Sequence, residues 1–160
     1  MTFSRAHDRV LRKFIYCEVD FILIGGHAAI YHGVQRTTSD LDILIRPTVQ
    51  NGQRILEACT LLDLEIEGLT PEDFTIPQFF NFGMKPGAVD ILNFIVGLSI
   101  DQVFDNAQEV RIEELWLKVI DIRDLLSNKE SIRRTTEKNL VDQQDIVALK
   151  RIIDWKQKRK

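Results

Sequence analysis

Asp40 and Asp42 alternate along an apolar run, Asp40-Leu41-Asp42-Ile43-Leu44-Ile45, that closes the segment FILIGGHAAIYHGVQRTTSDLDILIR at residues 21–46. In a strand, residues i and i+2 share a face, so the two carboxylates project together about 7 Å apart while Leu41 and Ile43 turn the other way. Like charges side by side repel each other, and burying them costs desolvation energy. A cation between them offsets both penalties. Oxygen-only donors select a hard cation such as Mg²⁺, which fills the rest of its octahedron with water and substrate phosphates. Upstream, Gly25-Gly26 ends the first apolar run. Glycine there lets backbone N–H groups approach a triphosphate without interference from Cβ, at the N-terminus of a helix expected to begin near His27. Taken singly, Asp-x-Asp also suits a solvated strand edge, and Gly-Gly also ends ordinary strands. Together, with room between them for one short helix and a turn, they point to a site for phosphate and metal.

Asp90 is a lone charge in the apolar stretch Gly87-Ala88-Val89-Asp90-Ile91-Leu92-Asn93-Phe94. Charges are rarely buried unless paired or metal-bound, so Asp90 either faces water on an edge strand or joins the first two acids. Arg36-Thr37-Thr38-Ser39 leads directly into the carboxylate strand. A guanidinium at Arg36 can clamp phosphates or orient Asp40 through a bidentate pair, and Thr38 and Ser39 can hydrogen-bond the turn. His27 follows the glycines and is a candidate for nucleotide contact. His32, five residues on, does not share its helical face, which makes the two poor joint metal ligands. Phe79, Phe80 and Phe82 can stack a base or fill the core. Two other phosphate-binding patterns are excluded: the glycine after Gly26 is Gly33, too far for G-x-G-x-x-G, and no G-x-x-x-x-G-K-[ST] occurs.

The Gly-Gly turn followed by Asp-x-Asp on the next strand resembles the signature of the nucleotidyltransferase superfamily with a DNA polymerase beta-like fold. Arg36 and Thr38 match the Arg-x-Thr that precedes the acid pair in such proteins. The C-terminal half, with Lys129, Arg133 and Asp142-x-x-Asp145, is similar to the closing segment of bacterial nucleotidyltransferases of the abortive-infection-toxin kind. The resemblance implies an enzyme that moves an NMP from an NTP to a hydroxyl acceptor and releases pyrophosphate, with two Mg²⁺ ions held by Asp40, Asp42 and Asp90. Asp90 would be the third acid and would help deprotonate the acceptor. Gly25, Gly26, His27, Arg36, Thr38 and Lys129 would bind nucleotide. In that reading Lys129 is an exposed point charge whose loss leaves stability unchanged, with Asp145 orienting it. The acceptor, whether tRNA, protein or small molecule, is not implied, and an antitoxin-like protein is an expected partner. Two other readings of the same residues are a catalytically silent nucleotide- or partner-binding module and an RNA-binding accessory protein.

Positioning such a site needs a mixed α/β sheet backed by helices and a C-terminal helical pair, the fold class expected here. Helical periods cover residues 4–18, 27–32 and 48–62, and strands are expected at 21–24 and 41–45. Residues 73–84 and 88–95 read as two strands joined by Lys85-Pro86-Gly87. A further strand is expected at 109–113, and 115–120 reads as strand or helix. Helices are expected at 125–134 and 139–158. The expected division is a nucleotidyltransferase core over residues 1–120 and a helical extension packed on it over 121–160. At 160 residues and 18.5 kDa the chain suits one such unit. Cys17 and Cys59 lack metal-ligand spacing and read as buried thiols in a reduced, cytoplasmic protein. No apolar stretch approaches the length of a membrane span. The net charge of −3 conceals a basic end, where residues 150–160 carry six cations against Asp154. That end reads as a solvated helix terminus or as a polyanion contact.

Overall fold

The protein is described by a computed structural model, over residues 1–64, 66–83, 87–132 and 137–160. Six helices and six strands follow the order α1 (Arg5–Tyr16), β1 (Phe21–Leu23), α2 (Gly25–His32), β2 (Leu41–Ile45), α3 (Val49–Leu61), β3 (Phe79–Phe82), β4 (Val89–Leu92), α4 (Ile100–Asn106), β5 (Gln108–Ile112), β6 (Leu115–Val119), α5 (Ile122–Ser131) and α6 (Glu137–Lys158). The strands form one sheet in the order β3-β4-β2-β1-β6-β5. The β1–β2, β3–β4 and β5–β6 pairs are antiparallel, whereas β2–β4 and β1–β6 are parallel. The architecture is therefore a mixed sheet backed by helices, ending in the helical pair α5 and α6.

Local chemistry sets most boundaries. Ser4 and Thr48 cap α1 and α3 by accepting the N–H groups of His7 and Asn51, which satisfies otherwise orphaned helix donors. The central strands β1 and β2 are apolar and buried, so Ile22, Leu23, Leu41, Ile43, Leu44 and Ile45 form the middle of the core. Leu115, Leu117 and Val119 are buried while Trp116 and Lys118 are exposed, an alternation that settles residues 115–120 as strand.

Two stretches depart from the sequence reading. The long strand expected from Asp73 starts only at Phe79, because Pro71 opens a 3₁₀ helix, Pro71–Thr75, in which Thr70 and Asp73 form a capping box. The Asn93 side chain then holds the irregular segment, donating to the carbonyls of Phe74 and Ile76 and accepting from the N–H of Gln78. Phe80 is buried and stacks on Phe74, a core role, while Phe79 is exposed. The other departure is α4, missed because its seven residues are too few to display a helical period. Met84 at the end of that expected strand, Lys85 and Pro86 of the expected turn, and Arg133 and Arg134 lie outside the described residues.

The helical pair is joined to the sheet side of the molecule by buried charge. Lys129 of α5 reaches Asp142 Oδ1 at 3.0 Å and Asp145 Oδ2 at 2.9 Å, both on α6. Arg36, in the loop before β2, donates Nε and Nη2 to the two oxygens of Asp145 at 2.8 and 2.9 Å. Lys129 is 5% exposed and Asp145 fully buried. Burial alone would raise the Asp145 pKa, but hydrogen bonds and charge from Arg36 and Lys129 outweigh it and hold the carboxyl below its usual value. This corrects the expectation of an exposed Lys129.

Lys129→Ala should therefore destabilise the fold by about 3–5 kcal/mol, the scale for stranding a buried partner charge, measured by urea unfolding near neutral pH. A folded pKa below the unfolded 3.8 means that the contribution of Asp145 is present above that value and is lost as pH falls through the folded one. The deficit of the variant should accordingly shrink in strong acid. A deficit under 1 kcal/mol at neutral pH would show that the cluster is dispensable.

Candidate functional site

The site begins with strand register. In the parallel β2–β4 pair Asp42 lies opposite Asp90, and in the antiparallel β3–β4 pair Asn81 lies opposite Asp90. One row across three strands thus reads Asn81, Asp90, Asp42. Asp90 is buried, and its Oδ1 accepts a hydrogen bond from the Asn81 amide. The Asp42 and Asp90 carboxyls thus lie side by side across the strand pair, within reach of each other. Burial, and then the charge of Asp90, push the Asp42 pKa up to about 7, while the N–H of Gly26 donates to Asp42 and opposes the shift.

Asp40 lies just before β2, with Ser39 Oγ 3.4 Å from its Oδ1. Its charge adds to the field that raises the Asp42 pKa. Among the described residues, no group of three or more His, Cys, Asp or Glu side chains is gathered as a ready-made metal cage. Asp42 and Asp90, side by side on neighbouring strands, are nevertheless oxygen donors of the kind a hard cation takes.

The two glycines are required by contact. Gly25 has φ +64°, and a Cβ there would collide with the Asp42 carboxylate. A Cβ on Gly26 would sit 2.7 Å from Thr38 Oγ1 and 3.0 Å from Arg36 Nη2. Helix α2 starts at Gly25 itself, two residues earlier than expected. Its N-cap, Ile24, supplies no side-chain acceptor, which leaves donors of the first turn facing the acids' end of the sheet.

The other candidates divide. Thr38 packs against Gly26. Arg36 pairs with Asp145 rather than orienting Asp40, which corrects that alternative of the sequence reading. His27 is buried between Phe3 and His7, with ring centroids 5.4 Å from each. Its ring hydrogen-bonds the backbone of Asp40, so it faces the core rather than an open cleft. Lys129 belongs to the buried cluster, which touches the glycine turn through Arg36. His32 Nε2 bonds the Ile120 carbonyl at 2.7 Å. Two residues went unnoticed in the sequence: Asn81, a neutral amide with no distinguishing pattern, and His7, whose Nε2 bonds the Ala88 carbonyl at 3.2 Å. A histidine at a core-facing position of an otherwise ordinary amphipathic helix was the available signal for the latter.

Burial holds His7, His27 and His32 below the usual histidine pKa, His27 at about 4. A base depressed in the fold stays neutral there, while the unfolded chain takes up its proton below pH 6.5. Stability is therefore lost as pH falls from 6.5 toward 4, by on the order of 3 kcal/mol at most for His27. Asp42 has the opposite sign, since its raised pKa lets the fold hold a proton over the same window. The histidine slope should thus emerge in Asp42→Asn, as an unfolding free energy that drops between pH 6.5 and 4. A flat profile in that variant would contradict the burial of these rings.

No protein-family model matches the chain, and no curated protein matches it. Solved structures do. The lincomycin-bound crystal structure of the lincosamide antibiotic adenylyltransferase LnuA is 21% identical with TM-score 0.62, over 94% of this chain and 98% of that one. The solution structure of the antibiotic-resistance factor ANT(2'')-Ia is 9% identical with TM-score 0.60, over 96% and 90%. A Thermotoga maritima protein, provisionally described as a nucleotidyltransferase, is 12% identical with TM-score 0.54, over 97% and 89%. At these identities the likeness speaks for the fold alone, which this chain shares with those three structures.

Proposed function

We propose that this protein is a Mg²⁺-dependent nucleotidyltransferase that moves an NMP from an NTP to a hydroxyl acceptor and releases pyrophosphate. The observation that carries the reading is the Asp42–Asp90 pair, half-buried and buried respectively, at the foot of the Gly25-Gly26 turn. Asp40, Asp42 and Asp90 would hold the metal, which when bound supplies charge neutralisation for the triphosphate and for the developing alkoxide.

The chain's own residues do the rest. Backbone N–H groups at the start of α2 bind triphosphate oxygens, helped by the helix dipole. Gly25 and Gly26 keep that approach clear. Asp90, fixed by Asn81, takes the proton of the acceptor hydroxyl as its oxygen bonds the α-phosphorus and the pyrophosphate oxygen departs. Thr38 and Arg36 brace the turn from behind, and Lys129 acts through Asp145 on Arg36. Catalysis in such a site is positioning and charge stabilisation, with no covalent intermediate on the protein. The gathering of Lys129, Asp142 and Asp145 supports the resemblance to abortive-infection-type enzymes. LnuA, named as a lincosamide adenylyltransferase, illustrates a small-molecule acceptor on this fold.

Thermal unfolding with MgATP, MgCTP, MgGTP and MgUTP against EDTA tests the reading. One nucleotide at a hundredfold excess over its Kd should stabilise the fold by about 2.7 kcal/mol, and label from its α-phosphate should pass to a lysate component. Asp42→Asn should abolish both effects. Without metal at pH 8 it should be as stable as the wild type or more so, because the carboxylate repulsion is gone. Absence of any shift with all four nucleotides would count against a competent site. Nucleotide binding without label transfer would favour a silent binding module.

A further inference from the structure

The acid row has an apolar neighbour toward the edge of the sheet. In the antiparallel β3–β4 pair Phe79 lies opposite Leu92, two residues along from Asn81 opposite Asp90. Residues i and i+2 of a strand share a face, so Phe79 stands on the face that carries Asn81 and Asp90. Phe80, between them, turns to the other face and stacks on Phe74. Diagonal neighbours in such a pair are about 7 Å apart, within reach of an aromatic side chain, and Phe79 is the diagonal neighbour of Asp90. Yet Phe79 is 54% exposed. Ile76, Phe94 and Val96, at the same end of the strand pair, are exposed as well. One exposed ring is ordinary, but several apolar side chains beside a row of acids make a candidate binding surface.

Strand order decides which substrate meets that ring. On the nucleotidyltransferase reading, on which this inference rests, triphosphate oxygens lie on the N–H groups at the start of α2, where Gly25 abuts Asp42 of β2. Strand β4 comes next in the sheet and β3 lies beyond it at the edge, about 10 Å from β2 at the usual strand spacing. In phosphoryl transfer the attacking and leaving oxygens are roughly in line. With pyrophosphate leaving toward the glycine turn, the attacking hydroxyl enters from the side of Asp90 and β3. It gives its proton to Asp90 as its oxygen bonds the α-phosphorus and the bond to pyrophosphate breaks. The group that carries the hydroxyl, rather than the nucleotide, is then the one placed over Phe79.

We propose that Phe79 is the acceptor-recognition residue, its ring packing on an apolar ring face of a small, phosphate-free molecule whose hydroxyl reaches Asp90. Charge and area set that class. Between Arg54 and Arg111 the sequence has ten acidic residues against one basic residue, Lys85. The stretch that builds β3 and β4 thus repels a phosphate-rich chain such as RNA. The exposed parts of Ile76, Phe79, Phe94 and Val96 offer on the order of a few hundred Å², against about 800 Å² per partner in a stable protein interface. That area suits a ring or two and is too small for a protein surface.

The probes are MgATP, MgCTP, MgGTP and MgUTP, each labelled at the α-phosphate, and the low-molecular-weight fraction of a cell lysate. The wild type should pass label from one nucleotide to a component of that fraction. Phe79→Ala should bind the same nucleotide as tightly as the wild type by titration calorimetry, yet transfer label about tenfold more slowly at limiting acceptor. More of the fraction should restore the rate, because the ring contributes to acceptor binding and not to the chemical step. Phe79→Val keeps a good strand former without a ring and should match Phe79→Ala, whereas Phe79→Tyr should keep most of the activity. Circular dichroism and thermal midpoint should be unchanged in all three variants, since the side chain is exposed. Four outcomes would each overturn the assignment and leave the nucleotidyltransferase reading intact: label that goes only to RNA or protein, a fall in nucleotide affinity equal to the fall in transfer, a rate that added fraction does not restore, or Phe79→Ala as fast as the wild type. A wild type that transfers no label at all would remove that reading, and the proposal with it.

Discussion

The structure turns on a parallel pairing that sets Asp42 against Asp90. Two carboxyls side by side within an apolar sheet are a liability: each costs desolvation, and their like charges repel. Here the conflict is met by a raised pKa at Asp42, by the Asn81 amide on Asp90 and by the Gly26 N–H on Asp42. The same conflict dictates glycine next door. A side chain at Gly25 would enter the space of the Asp42 carboxylate, so the residue types of the turn and of the strand depend on each other. Local strain, burial and chemistry all converge on one square of the sheet.

That square is supported from two directions. From below, His7 of α1 holds the Ala88 carbonyl at the start of β4, and His27 of α2 holds the backbone of Asp40 at the start of β2. The two rings meet edge to face, so helix α1 and the two acid-bearing strands are tied at one point. From the other side, Arg36 bridges the back of the glycine turn to Asp145 and through it to Lys129. The C-terminal helices therefore do more than cover the sheet. Their buried charges fix the loop that leads into β2, a dependence that a purely apolar contact would leave loosely specified.

Much of this was legible in the chain because it is written as local pattern. Alternating acids on an apolar run, a glycine pair before a helix and a single charge inside an apolar strand each violate the ordinary pattern of their element, and the fold brings Gly25, Gly26, Asp42 and Asp90 together. What was hidden depends on pairing across distance. Nothing near Asn81 says that β3 will register it against Asp90. Nothing near Arg36 says that its carboxylate partner lies 109 residues on, at Asp145, rather than four residues on at Asp40. Lys129 was misjudged for the same reason, since a lysine on an amphipathic helix is solvated unless a second helix brings acids to it. The short α4 and the 3₁₀ helix at Pro71 were missed because periodicity needs length, and capping chemistry decided them instead.

Helix α6 shows how one element can answer to two constraints. Its inner face must carry acids as well as apolar groups, because Asp142 and Asp145 have to meet Lys129 and Arg36 in the interior. The apolar residues of its outer face make no contribution to that interior, and on a purely solvated helix they would be replaceable by charge at no cost to folding. Asp145 is where those demands meet: it is the carboxylate that both Lys129 and Arg36 reach, so the register of α6 against α5 also sets the loop that leads into β2.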